Sequence, residues 1–154
     1  MNLNKLRTEF AKQHKLKKLP KNIDLSLFDN KFNIVTKPIR TLSGVAPVAI
    51  MTLPRDCSHG SCSYCPGGLK SFFGDVPKSY TGNEPASMRA KRANFDPYLQ
   101  IFNRLEQYIL LNQFPEKVEL IIMGGTFPSY RISYQDNFVM YAFKAMNDFS
   151  KLFF

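Results

Sequence analysis

Cys57, Cys62 and Cys65 are the only cysteines in the chain, and they fall in one short loop as C-x4-C-x2-C. Three thiolates converging on a point hold a metal or cluster and leave one coordination position open. Iron–sulfur clusters are held by cysteine thiolates, usually four, so a three-cysteine cubane leaves one iron free for a further ligand. A structural zinc site is the plainer alternative, with His59 as fourth ligand in a Cys3His set. Disulfides are the third: one cysteine would stay unpaired, and the sequence has no secretory features.

The neighbouring residues favour the cluster. The loop follows the apolar run Val45-Ala-Pro-Val-Ala-Ile-Met-Thr52, short enough for a buried strand. After the third cysteine come Pro66-Gly67-Gly68, with no side chains to crowd a bound cofactor. A loop at the end of a first barrel strand is where α/β barrels put their active sites. Zinc knuckles usually draw cysteine pairs from two places, and there is no second pair here.

The elements that must position this loop read as alternating strands and helices. Leu3, Leu6 and Phe10 fall at helical spacing, which predicts a basic amphipathic helix from Asn2 to about Lys18, closed by Pro20. Residues 22–44 read as irregular or weakly extended. The first strand is expected at Val45–Thr52, and the cysteine loop is expected to run on to about Tyr80. Asp96-Pro97 reads as an N-cap and first helical residue, with Leu99, Phe102, Leu105, Ile109 and Leu110 as the apolar stripe to about Leu111. Lys117–Met123 reads as a second strand, its apolar run implying burial on both faces. Ser133 and Asp136 resemble a capping box for a last helix to about Asp148. This order implies βα units on a parallel sheet, hence an α/β fold.

Composition supports a globular core with a polyanionic partner. The 154 residues are 44% hydrophobic with a net charge of +9. Residues 1–40 hold ten Lys or Arg against three Asp or Glu. Lys12, Lys15, Lys17, Lys18 and Lys21 cluster within them, attracting phosphate backbones or covering a solvated face. Arg89, Lys91 and Arg92 form a second basic group with the same two readings. No stretch approaches the ~20 apolar residues that span a bilayer, and the charged N-terminus lacks a signal core. With clustered free thiols, the expected location is the cytoplasm.

Several blocks in order resemble one family: Lys37-Pro-Ile-Arg-Thr-Leu-Ser-Gly-Val-Ala46, Cys62-Ser-Tyr-Cys-Pro-Gly-Gly68, Ser79-Tyr-Thr-Gly-Asn-Glu-Pro85, Met88-Arg-Ala90 and Val118-Glu-Leu-Ile-Ile-Met-Gly-Gly-Thr-Phe127. From about Lys37 to Asn147 the chain resembles the catalytic subunit of Elongator, the radical S-adenosylmethionine (SAM) tRNA-uridine acetyltransferase family. The short C-x4-C spacing is similar to its archaeal branch.

The resemblance implies a basic tRNA-binding segment over residues 1–40, followed over 41–154 by the first part of a partial (β/α) radical SAM barrel. It implies a [4Fe-4S] cluster on Cys57, Cys62 and Cys65, with SAM chelated at the open iron. Backbone groups of Gly124, Gly125 and Thr126 would bind the SAM amino group. Taken alone, that Gly-Gly pair reads as an ordinary turn after a strand. Tyr64 would shield the cluster or contact the SAM adenine, unless it is a packed loop aromatic. Lys117 stands at the position of a family lysine that handles acetyl-CoA, the co-substrate whose methyl carbon is joined to C5 of the wobble uridine. The lysines at 12, 15, 17, 18 and 21, with Arg89, Lys91 and Arg92, would meet tRNA, whose anticodon loop must offer the uridine splayed out. Relatives continue past the equivalent of Phe154 into more βα units and an acetyltransferase domain, so the chain is expected to be poorly soluble and unable to carboxymethylate tRNA alone. A homodimer or a complementary C-terminal half is the further partner expected. A non-catalytic RNA-binding piece holding an iron–sulfur or zinc site is the rival function.

Overall fold

A computed structural model describes residues 3–20, 24–25 and 41–154. Lys21 and most of residues 22–40 lie outside the described residues. By backbone packing the chain forms two compact units. One takes in the described part of residues 1–46 with 106–117, the other 47–105 with 118–154.

In the first unit, α1 spans Leu3–Gln13. It stops five residues short of the expected end at Lys18. The chain reverses there: the Leu16 N–H donates to the Ala11 carbonyl at 2.9 Å and the Lys15 N–H to Lys12 at 3.3 Å. Lys15 takes a left-handed φ of 50° between them. That closure fills the helix's last carbonyls and ends it. Arg7 Nε then donates to the Pro20 carbonyl at 2.6 Å, holding the returning segment against the helix. Lys12 lies in the last turn of α1, whereas Lys15, Lys17 and Lys18 lie beyond it, all exposed.

The second unit holds most of a two-stranded sheet of β1, Val45–Met51, and β4, Lys117–Met123. The strands run parallel. Lys117 N–H donates to the Gly44 carbonyl where both begin, and Thr52 N–H to the Met123 carbonyl where both end. Ala46, Val48 and Ile50 alternate as the fully buried face of β1, and Met51 and Thr52 are also fully buried. On β4 the expected burial on both faces does not hold. Its residues alternate half-buried and exposed, and Ile121 is 37% exposed. Among the described residues β4 pairs with β1 alone.

Between these strands the structure adds what the sequence reading leaves as loop. β2, Gly68–Ser71, and β3, Gly74–Val76, pair as an antiparallel hairpin. Ser71 Oγ donates to the Gly74 carbonyl and accepts the Phe73 N–H, fixing the reversal. Next, α2 spans Pro85–Arg92.

Asp96 caps α3, Pro97–Leu110, as expected: its Oδ1 accepts the Leu99 N–H at 2.8 Å. The buried face of α3 is displaced from the predicted stripe. Gln100, Ile101, Leu105 and Tyr108 are buried, while Leu99 is 47% exposed and Leu110 also faces solvent.

The last helix, α4, spans Ile132–Phe153, longer than predicted. The capping box does not form, because Arg131 is the N-cap and offers no side-chain acceptor. Gln135 Nε2 instead donates to the Tyr130 carbonyl at 2.7 Å and the Pro128 carbonyl at 3.2 Å. Phe138, Ala142, Ala145 and Phe149 are the buried stripe of α4. Phe102 packs edge-on against Phe149, with ring centroids 5.1 Å apart.

Candidate metal and cofactor pocket

β1 and β4 end side by side, and the chain leaving each is held at its exit. Thr52 is fully buried just beyond β1. Its Oγ1 donates to the Gly124 carbonyl at 3.1 Å and lies 3.0 Å from Tyr130 Oη. Tyr130 Oη donates to the Leu53 carbonyl at 2.6 Å, and the Leu53 N–H donates to Tyr134 Oη at 3.1 Å. The Tyr130 and Tyr134 rings stack 4.7 Å apart. Arg55 lies over the Tyr130 ring at 4.7 Å and donates to the Ser129 carbonyl. Burial pushes both tyrosine hydroxyls up from their ordinary pKa, so they stay neutral, Tyr130 donating and Tyr134 accepting.

The cysteine loop opens on a pocket of about 370 Å³ lined by Cys57, Cys62 and Cys65 together with Gly124, Gly125 and Thr126. His59, Tyr64, Lys78 and Ser79 complete much of the wall. All three cysteines are free thiols and partly exposed. Cys65 Sγ accepts the Ser79 N–H at 3.1 Å, which lowers its pKa; the charge of Lys78 adds to the effect, against desolvation. His59 Nε2 lies 3.3 Å from Cys62 Sγ. Tyr64 is 84% exposed and so is no packed aromatic. A hydrogen bond to Cys62 and the neighbouring thiols raise its pKa.

The donor set suits a thiophilic metal or cluster, and the geometry as it stands does not close around one. Among the described residues no three His, Cys, Asp or Glu side chains are grouped to hold a metal ion. The cysteines share a pocket, and the loop between Thr52 and Gly67 holds no helix or strand; its backbone order is two turns, with the Gly60 N–H donating to the Cys57 carbonyl and the Cys65 N–H to the Cys62 carbonyl, each at 3.1 Å.

The glycines beside the pocket have a packing reason. A Cβ on Gly67 would lie 2.3 Å from the Tyr80 carbonyl oxygen and 2.5 Å from that of Pro77. Room for the chain at 77–80 is what Gly67 supplies. A Cβ on Gly124 would lie 2.2 Å from Thr52 Oγ1, and φ there is +118°.

The other expected site residues lie apart. Lys117 is exposed at the start of β4 and is not in the pocket lining. Arg89, Lys91 and Arg92 occupy the last turn of α2, where cations also complement the helix dipole.

Three residues to which the sequence alone assigns no role support the site. Gln100 is buried on α3, and its amide Oε1 accepts the Met51 N–H at 2.8 Å while Nε2 donates to the Met51 carbonyl at 3.0 Å. The pair supplies strand-like bonds to β1 from a helix. Glu84 accepts from the Thr81 N–H and hydroxyl, the Gly82 N–H and the Ser87 hydroxyl. Desolvation opposes its charge, but these donors, led by the Thr81 N–H, hold its pKa down to about 2. Lys78, only 8% exposed, faces the thiols. A lysine directly after Val76-Pro77 is a visible, weak hint of such burial.

No family model matches the chain. Among curated proteins, it is 59% identical over 112 residues to a tRNA uridine(34) acetyltransferase of Methanocaldococcus infernus, covering 73% of this chain and 21% of that protein. It is 42% identical over 162 residues to Elongator complex protein 3 of Saccharomyces cerevisiae, covering 97% of this chain and 29% of the relative. The human Elongator complex protein 3 matches at 42% over 151 residues, with 90% and 28% covered. The chain thus spans less than a third of the length of these relatives. Over the residues it spans, the chain belongs to the family of proteins named tRNA uridine(34) acetyltransferase in archaea and Elongator complex protein 3 in eukaryotes.

Proposed function

We propose that this chain carries the cluster- and SAM-binding part of an enzyme that modifies C5 of the tRNA wobble uridine, with acetyl-CoA as co-substrate. The observation carrying the proposal is the shared pocket, where three free thiols face the glycine-rich exit of a parallel strand. The relatives' names supply the substrate class, uridine 34 of tRNA, and the acetyl group.

In this reading the parallel β1–β4 pair begins a partial (β/α) radical SAM barrel. Cys57, Cys62 and Cys65 hold a [4Fe-4S] cluster. When bound, the cluster supplies the electron that cleaves SAM, while the protein orients the reactants. Main-chain groups of Gly124, Gly125 and Thr126 hold the amino group of SAM, and Tyr64 stands exposed at the pocket for its adenine. Lys117 serves acetyl-CoA. Lys12, Lys15, Lys17 and Lys18, with Arg89, Lys91 and Arg92, supply phosphate contacts that position tRNA without reading sequence. Lys21 belongs to the same proposal from sequence alone. No helix among the described residues is long and apolar enough to cross a membrane, in keeping with a cytoplasmic tRNA enzyme.

The test is SAM cleavage. After anaerobic reconstitution with iron and sulfide, the chain with dithionite and SAM should release 5′-deoxyadenosine, and Cys62→Ser and Cys65→Ser should abolish it. Equal release by the serine variants would refute the reading. One observation favours a second reading, a Cys3His zinc site in a non-catalytic RNA-binding piece: His59 stands within 3.3 Å of Cys62. His59→Ala should then lower zinc affinity as far as Cys62→Ser does, whereas the cluster reading leaves His59 dispensable for metal.

A further inference from the structure

Among the described residues, Lys78 is the one lysine in the pocket lining. Its side chain is 9% exposed, so the ammonium has given up most of its water. Burying a charge this way costs free energy unless it is paired. The carboxylate within reach is that of Asp56, with Oδ1 3.5 Å from Nζ, and Asp56 is 62% exposed. A long contact to a solvated carboxylate compensates a buried ammonium poorly.

The burial is built into the backbone. A Cβ on Gly68 would lie 2.6 Å from Lys78 Nζ and 2.7 Å from Cε, and one on Gly125 would lie 3.1 Å from Lys78 Cβ. Glycines from two separate segments therefore leave the channel in which this side chain lies. Its partner directly precedes Cys57, so the pair joins the start of the cysteine loop to the segment whose Ser79 N–H bonds Cys65.

We infer that Lys78 is the pocket's anchor for a ligand carboxylate, and that Asp56 occupies this anion position internally until the ligand displaces it. Asp56 already presents a carboxylate to the ammonium, and its exposure lets it swing back to water at little cost. No bond is made or broken in the exchange. The inference rests on the reading that the pocket takes SAM, whose amino-acid end carries such a carboxylate.

The two can be separated by calorimetric titration of the iron–sulfide-reconstituted chain with S-adenosylhomocysteine and with its decarboxylated analogue. Lys78→Met should weaken S-adenosylhomocysteine binding about tenfold or more, the worth of one hydrogen bond to a charged group. Asp56→Asn, at an exposed position that does not threaten folding, should tighten it by about threefold, as loss of an exposed competing ion pair implies. Neither substitution should shift the decarboxylated analogue beyond about twofold. Equal weakening of both ligands by Lys78→Met, or unchanged or weaker S-adenosylhomocysteine binding in Asp56→Asn, would overturn the anchor role while leaving the SAM pocket standing. Failure of the wild-type chain to bind either ligand would remove the parent reading, and this inference with it.

Discussion

The Thr52 hydroxyl occupies the space that a side chain at position 124 would need. Thr52 Oγ1 bonds the Gly124 carbonyl at 3.1 Å, and an added Cβ would approach that oxygen to 2.2 Å. The ends of β1 and β4 are thereby locked in register at the mouth of the pocket. Gly124→Ala combines overpacking with a φ of +118°, so it should cost about 2–4 kcal/mol of stability. In a Thr52→Ala background the same change should cost at least about 0.5 kcal/mol less, since the clash is relieved while the backbone strain stays. Urea unfolding of the four proteins measures the coupling. Strict additivity would show that the two residues do not compete for space.

Gln100 ties α3 to β1 through both polar groups of Met51. Gln100→Leu keeps the volume and strands a buried N–H and a buried carbonyl. A loss of about 2–4 kcal/mol is expected, read as a lower urea midpoint with unchanged slope. A loss below about 0.5 kcal/mol would mean that water replaces the amide.

The turn before α2 depends on the charge of Glu84. Its folded pKa of about 2 lies below the unfolded carboxyl value of about 4.3. The stabilisation is therefore complete above about pH 4.3 and is lost as pH falls through the folded value. Glu84→Gln should destabilise the chain by about 1–3 kcal/mol at pH 7. It should also flatten the fall of stability between roughly pH 4.5 and 2. Identical acid unfolding profiles for the variant and the wild type would refute this.

The exposed lysines of and beyond α1 are proposed to meet tRNA phosphates. Replacing Lys12, Lys15, Lys17 and Lys18 by Gln should weaken tRNA binding and reduce the log–log salt slope by about one unit for each phosphate no longer neutralised. An unchanged slope would assign these lysines to a solvated face.

The features legible in the sequence are those set by short-range chemistry. Asp96-Pro97 starts a helix because a cap and a fixed φ act locally. β1 and β4 fall where their apolar runs stand. The cysteines and Gly124-Gly125 can be paired in advance only through the family resemblance, and they do line one pocket. What sequence alone misjudges depends on contacts distant along the chain. The buried face of α3 is set partly by Gln100 reaching Met51, 49 residues away, and no hydrophobic pattern encodes a polar residue on that face. The end of α1 escapes the pattern because Lys15 adopts a left-handed conformation usually left to glycine. The β2–β3 hairpin escapes it because Ser71-Phe-Phe-Gly74 lacks the usual turn pairs, its reversal being held by the Ser71 hydroxyl. Burial of β4 falls short of expectation because an apolar run states a capacity for burial and not the presence of covering chain.

The most direct test of the central claim is the identity of the metal that the cysteine loop takes. Anaerobic reconstitution with iron and sulfide, followed by metal analysis and absorption spectroscopy, should find about four iron and four sulfide per chain. Cys62→Ser should lose them and His59→Ala should keep them. Stoichiometric zinc in anaerobically prepared protein, with no iron taken up, would contradict the account.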